Sequence, residues 1–208
     1  GMLVLFLGVA ALLKYASDQG WMQLPVELRL AGIAVAAIAG LALGWRQRGA
    51  RRTFALSLQG GSIGILLMTV FAAYRVFDLV PGVAAFALAV LVVAGTAVLA
   101  VRQEALALAV LAVLAGFLAP ILTSTGDGSH VALFGYYAVL NLGILAIALL
   151  RPWRILNLLG FAFTFVVGVA WGVLAYRPEQ LASTLPFLVF FFALYLAIPW
   201  LYARRRGP

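Results

Sequence analysis

Ala31-Gly32-Ile33-Ala34-Val35-Ala36-Ala37-Ile38-Ala39-Gly40-Leu41-Ala42-Leu43-Gly44-Trp45-Arg46-Gln47-Arg48-Gly49-Ala50-Arg51-Arg52 is an apolar run that stops at four arginines. The same alternation governs the whole chain. Apolar runs of about the 20 residues that a bilayer core demands of a helix occupy 26–45, 54–77, 81–101, 105–122, 131–150, 155–176 and 185–202, with a short eighth at 3–15. Of 208 residues, 66% are hydrophobic and only 10% charged, with a mean hydropathy of +1.14. A soluble domain of this size needs far more charge to cover its surface, so lipid is the expected solvent. The strict two-residue alternation of an outer-membrane barrel is absent. The expected fold is therefore all-α, a polytopic transmembrane helical bundle of about eight helices.

Charge placement gives the orientation. The second gap holds Arg46, Arg48, Arg51 and Arg52, the fourth Arg102 with Glu104, the sixth Arg151 and Arg154, and the tail Arg204, Arg205 and Arg206. In the other gaps Lys14 and Arg29 are balanced by Asp18 and Glu27, Arg75 by Asp78 and Arg177 by Glu179, while Asp127 stands alone. Positive loops stay cytoplasmic, which predicts both termini in the cytoplasm. The net charge of +8 forms no continuous stripe, so nucleic acid is not an expected partner. Without cysteine, disulfides and thiolate metal sites are excluded. The first run lacks a small-residue cleavage site and reads as a retained span.

Punctuation residues also suggest a duplication. Arg46 and Arg151, Val26 and Val131, and Pro81 and Pro186 are each separated by 105 positions, and Ala73-Tyr74-Arg75 recurs as Ala175-Tyr176-Arg177. The expectation is two four-helix units, 1–103 and 104–208, in the same orientation, since an even number of helices per copy preserves direction. Pro81, Pro152 and Pro186 suit first helical turns. Pro120 and Pro199 lie within or at the ends of apolar runs, where proline bends a helix.

Several stretches together resemble a known bacterial family. They are Phe6-Leu7-Gly8-Val9-Ala10-Ala11-Leu12-Leu13-Lys14-Tyr15-Ala16, Pro25-Val26-Glu27-Leu28-Arg29-Leu30-Ala31-Gly32 and Leu58-Gln59-Gly60-Gly61-Ser62-Ile63-Gly64. Gly116-Phe117-Leu118-Ala119-Pro120, His130-Val131-Ala132-Leu133-Phe134-Gly135-Tyr136-Tyr137 and Asn157-Leu158-Leu159-Gly160-Phe161 complete the set. The family is the predicted membrane proteins with domain of unknown function 2339, and the resemblance covers essentially the whole chain. It implies a multi-pass inner-membrane protein and an early portion of a longer chain. It implies no activity and no functional residues.

The chemistry-bearing residues are few. Zinc, Walker, dinucleotide and nucleophile-elbow motifs are missing, and no carboxylate lies mid-run to relay a coupling ion. No catalytic residue, metal or cofactor is expected. Asn141, mid-run, needs hydrogen-bond partners in hydrocarbon; it either orients a ligand or ties helices together. Gln59, with Gly60, Gly61 and Gly64, either lines a polar track or marks close helix approach, as Gly168 and Gly172 do. Lys14, Asp18, Glu27 and Arg29 either bind an anionic head or serve as snorkelling and capping charges. Asp127, His130, Tyr136 and Tyr137 form the one acid–base constellation. Alternatively, Gly126-Asp127-Gly128-Ser129 is a turn and helix cap, while Tyr136, Tyr137 and Trp21 belong to an aromatic belt. Arg46, Arg48, Arg51 and Arg52 either hold lipid headgroups or only fix topology.

The expected function is a non-enzymatic, transporter-like membrane module that binds or translocates a lipid-like or small amphipathic ligand. The expected ligand residues are Asn141, Gln59, Lys14, Glu27, Arg29, His130, Tyr136 and Tyr137. The alternatives are an assembly scaffold and an enzyme acting on a lipid-linked envelope substrate. Expected partners are membrane lipids and either further helices of a longer parent chain or a second copy.

Overall fold

The computed structural model describes residues 25–123, 129–151 and 153–205. Within them lie seven helices long and apolar enough to cross a membrane, and no strand. The all-α transmembrane bundle expected from the sequence is the observed architecture. The short run at 3–15 lies outside the described residues. The chain forms two compact units, Gly1–Val80 and Pro81–Pro208.

In the first unit, α1 (Val26–Gln47) and α2 (Arg52–Phe71) form a hairpin. Glu27 lies in the first turn of α1 and Arg46 in its last, each complementing the helix dipole. The exposed arginines 46, 48, 51 and 52 gather around the connecting turn, and the Arg48 guanidinium lies 3.5 Å over the Trp45 ring. The helices meet through Gly40 and Gly44 of α1. A Cβ on Gly44 would come within 2.6 Å of Gln59 Cγ and 3.0 Å of the Ala55 carbonyl oxygen, and one on Gly40 would collide with Ser62 Oγ. This is close backbone approach through small residues, and it is made by a glycine pair that the sequence reading passed over. Gly60, Gly61 and Gly64, expected in that role, have open space beside them. A π-helical turn, Ala72–Val76, continues α2, and Asp78 just beyond it has φ 49°, a left-handed conformation that aspartate tolerates.

The second unit contains α3 (Gly82–Gln103), α4 (Leu106–Thr123), α5 (His130–Leu150), α6 (Arg154–Leu174), a 3₁₀ turn (Pro178–Gln180) and α7 (Leu181–Arg205). The α3–α4 hairpin turns on Glu104, at φ 52°. The Ala105 N–H donates to the Ala100 carbonyl at 2.9 Å, and the Glu104 N–H to that of Val101 at 3.4 Å. These two bonds close the helix end as a Schellman motif. The Glu104 carboxylate meets Arg151 at 2.7 Å, tying this turn to the one between α5 and α6. Both groups are partly exposed, so the ion pair adds little stability. α5 is the hub: α6 and α7 each pack on it far more than on each other.

With the π turn counted as part of α2, observed helix bounds follow the apolar runs to within a few residues, with α7 the largest departure. Its run begins at 185, yet the helix begins at Leu181. Pro178 opens the preceding 3₁₀ turn, and the Ser183 and Thr184 hydroxyls donate to the Gln180 carbonyl at 3.0 and 2.8 Å. The helix therefore starts one turn ahead of the apolar run, and Pro186 falls inside it rather than in its first turn.

Candidate functional site

Asn141 sits at the middle of α5, buried, and its amide is fully engaged. Nδ2 donates to the Tyr137 carbonyl at 2.9 Å and to Thr164 Oγ1 of α6 at 2.8 Å, while Oδ1 accepts from the Tyr195 hydroxyl of α7. One side chain thus clasps three helices, which is how a polar group becomes tolerable in hydrocarbon. Gly160 makes room for it. A Cβ there would lie 2.9 Å from Asn141 Oδ1 and 3.1 Å from the Tyr195 hydroxyl oxygen.

A second polar device repairs α4. Pro120 lacks an N–H, so the Gly116 carbonyl four residues earlier loses its intrahelical donor. The Tyr136 hydroxyl of α5 donates to that carbonyl at 2.8 Å, and the neighbouring Tyr137 hydroxyl donates to Phe117's at 3.1 Å. Both tyrosines thus tie α5 to α4, and Tyr137 is fully buried. Tyr136→Phe is expected to lower stability by about 1 kcal/mol, measured as the midpoint of denaturant-induced unfolding in mixed micelles.

Above the clasp, toward the His130 end of the unit, α6 and α7 part and leave a cavity of about 430 Å³. Its floor is Thr164 and its walls are mainly aromatic, including Phe134, Trp171, Phe187 and Phe191. Gly168 and Gly172 line one side, and a Cβ on either would meet nothing within 4 Å. These glycines, expected to bring helices together, instead leave space. The lateral rim is outward-facing hydrocarbon: Val169, Leu188 and Phe192 are all at least 60% exposed. The groove runs from Thr164 to Tyr176 beside the end of α6.

The rim carries polar groups. His130, the first residue of α5, lies against Trp171 with ring centroids 5.3 Å apart and planes 29° apart. Its Nε2 is 2.8 Å from Ser183 Oγ of α7. Ser183 precedes the lining residue Thr184. Ser129 occupies the expected N-cap position of α5 without a side-chain capping bond, and Asp127 lies outside the described residues.

The expected site residues therefore fall in separate places. Asn141, Tyr136, Tyr137 and His130 share α5, with Asn141 bonded to the groove residue Thr164 and His130 stacked on the groove residue Trp171. Gln59 is buried in the α1–α2 interface of the first unit. Glu27 and Arg29 are exposed on the first turns of α1, and their proposed companions Lys14 and Asp18 lie outside the described residues. No group of three or more metal-ligating side chains occurs among the described residues. Sequence reasoning missed Thr164, Tyr195 and Ser183. The first two were visible as polar groups inside apolar runs, but nothing marked them as partners of Asn141.

These features define a class: a polytopic helical membrane protein, tied by interhelical hydrogen bonds and opened by a lateral apolar groove. The chain belongs to the family described as predicted membrane protein (DUF2339), whose model matches residues 1–208. Comparison with curated proteins and with solved structures yields no match to either.

Proposed function

We propose that this is a non-enzymatic inner-membrane module that takes one hydrocarbon chain of a lipid-like ligand into the α6–α7 groove. The observation that carries the reading is the groove itself. From Thr164 to Leu174, α6 rises about 15 Å, half of a hydrocarbon core about 30 Å thick. A cleft one leaflet deep, almost wholly apolar and open sideways, suits a chain entering from the bilayer without crossing water. Its volume lies within the range of small-molecule sites.

The arginine distribution supports a reading with the His130 end outside and both termini in the cytoplasm, in which the groove lies in the outer leaflet. On intact cells, a membrane-impermeant thiol reagent is expected to label Glu179→Cys and spare Gly49→Cys; the opposite pattern reverses the orientation. Arg46, Arg48, Arg51 and Arg52 then face the inner leaflet, where they attract anionic headgroups. The four-plus-four duplication remains part of this reading, supported by matched positions. Tyr74 and Arg75 lie in the π turn that ends α2, and Tyr176 and Arg177 just beyond α6.

A phospholipid carrying a diazirine near its chain end, photolysed in nanodiscs, tests the groove. Adducts are expected to concentrate on Phe165, Val169 and Phe191. Even labelling of every outward face, as boundary lipid would give, overturns the proposal. A second reading, an assembly scaffold, is favoured by the Asn141 clasp, whose polar atoms are all turned to partners within the protein.

A further inference from the structure

Inside a bilayer an apolar groove gains little hydrophobic free energy over lipid, because lipid tails are already apolar. The chain alone therefore selects weakly, and any choice among ligands must be made by polar groups at the rim. The rim group that reaches across from α5 to α7 is the imidazole of His130.

Its hydrogen-bond roles follow from its neighbour. The Ser183 hydroxyl donates its proton to the Gln180 carbonyl, so toward His130 it acts as acceptor. With the hydroxyl proton on that carbonyl, the contact at 2.8 Å is made by a proton on Nε2. That assignment leaves Nδ1, which takes no partner among the described residues, as the nitrogen available to a ligand. Trp171 holds the ring by stacking and is itself part of the groove wall. Thus the same side chain touches both the hydrocarbon lane and the polar rim.

A neutral imidazole with Nε2 protonated offers an acceptor at Nδ1. A carboxylic acid has one proton to share with it, and whichever partner holds that proton, the bond survives: acid to imidazole or carboxylate to imidazolium. Charge-assisted bonds of this kind are stronger than neutral ones. An ester has no such proton. A primary alcohol has one, but forms only the weaker neutral bond.

The geometry points to a carboxyl-recognition site at His130, which makes the preferred occupant of the groove a free long-chain carboxylic acid. The inference rests on the groove reading and adds the chemistry of the head. His130 binds the carboxyl through Nδ1, Ser183 fixes the tautomer through Nε2, and the chain lies over Gly172 and Gly168 toward Thr164.

The test uses the full protein in nanodiscs and three diazirine-tailed probes: stearic acid, its methyl ester and the matching alcohol. The acid is expected to give adducts on the groove residues at about tenfold lower probe concentration than the ester or alcohol. His130→Phe keeps the stacking ring and removes both nitrogens, and is expected to abolish the acid's advantage while alcohol labelling persists. Ser183→Ala releases the tautomer and is expected to reduce the advantage in part. Equal labelling by all three probes overturns the carboxyl site and leaves the groove standing, as does an advantage unchanged in His130→Phe. Absence of groove adducts from every probe overturns the groove reading itself.

Discussion

Gly160→Leu is expected to be the most damaging single substitution in the second unit, costing about 2–4 kcal/mol of stability. Its first side-chain carbon would lie 2.9 Å from Asn141 Oδ1, 3.1 Å from the Tyr195 hydroxyl oxygen and 3.3 Å from Ile144 Cδ1. The remaining carbons have no room, so α6 must move away from α5. That movement breaks the Asn141–Thr164 bond, and the leucine side chain crowds the bond from the Tyr195 hydroxyl to Asn141 Oδ1. Buried polar groups left without partners add to the steric cost. Equilibrium unfolding in mixed micelles reads the loss directly. A change under 1 kcal/mol would show that the three-helix clasp contributes little.

Gly172→Leu, twelve residues along the same helix, is expected to do the reverse. Nothing lies within 4 Å of its would-be Cβ, so leucine enters open space. Leucine is also about 1 kcal/mol better than glycine in a helix interior, and stability is expected to hold or rise. The isobutyl group would occupy the lane where a lipid chain is proposed to lie, and diazirine labelling of Phe165 and Phe191 is expected to fall about tenfold. Gly168→Leu, four residues away on the same face, should do the same. A stable variant that still labels at the original yield would place the lipid elsewhere. The contrast between positions 160 and 172 also separates packing from binding, since the two glycines share one helix and differ in what stands opposite them.

That contrast shows where reading the sequence stops. The spans were legible because their evidence is one-dimensional: run length against bilayer thickness, and arginines that close each run. Rotation about a helix axis is not one-dimensional. Gly40 and Gly44, Gly60 and Gly64, and Gly168 and Gly172 all have four-residue spacing, yet only the first pair meets a neighbouring helix. Composition at those positions is alike; the opposing side chains decide. Asn141 was identifiable as a residue in need of partners, but Thr164 and Tyr195 stand 23 and 54 positions away. His130 drew attention through nearby Asp127, whereas its partner in the structure is Ser183, 53 residues on.

The Gly116 carbonyl has a consequence for biogenesis. Pro120 deprives α4 of a donor that the helix cannot replace from its own backbone, and the substitute hydroxyl arrives on the next span to be synthesised. Until Tyr136 follows, α4 alone in the bilayer would carry a bare carbonyl, at a cost of several kcal/mol. The cheaper course is for both helices to leave the translocon together, with the earlier one waiting in its aqueous or protein-lined lumen for the later.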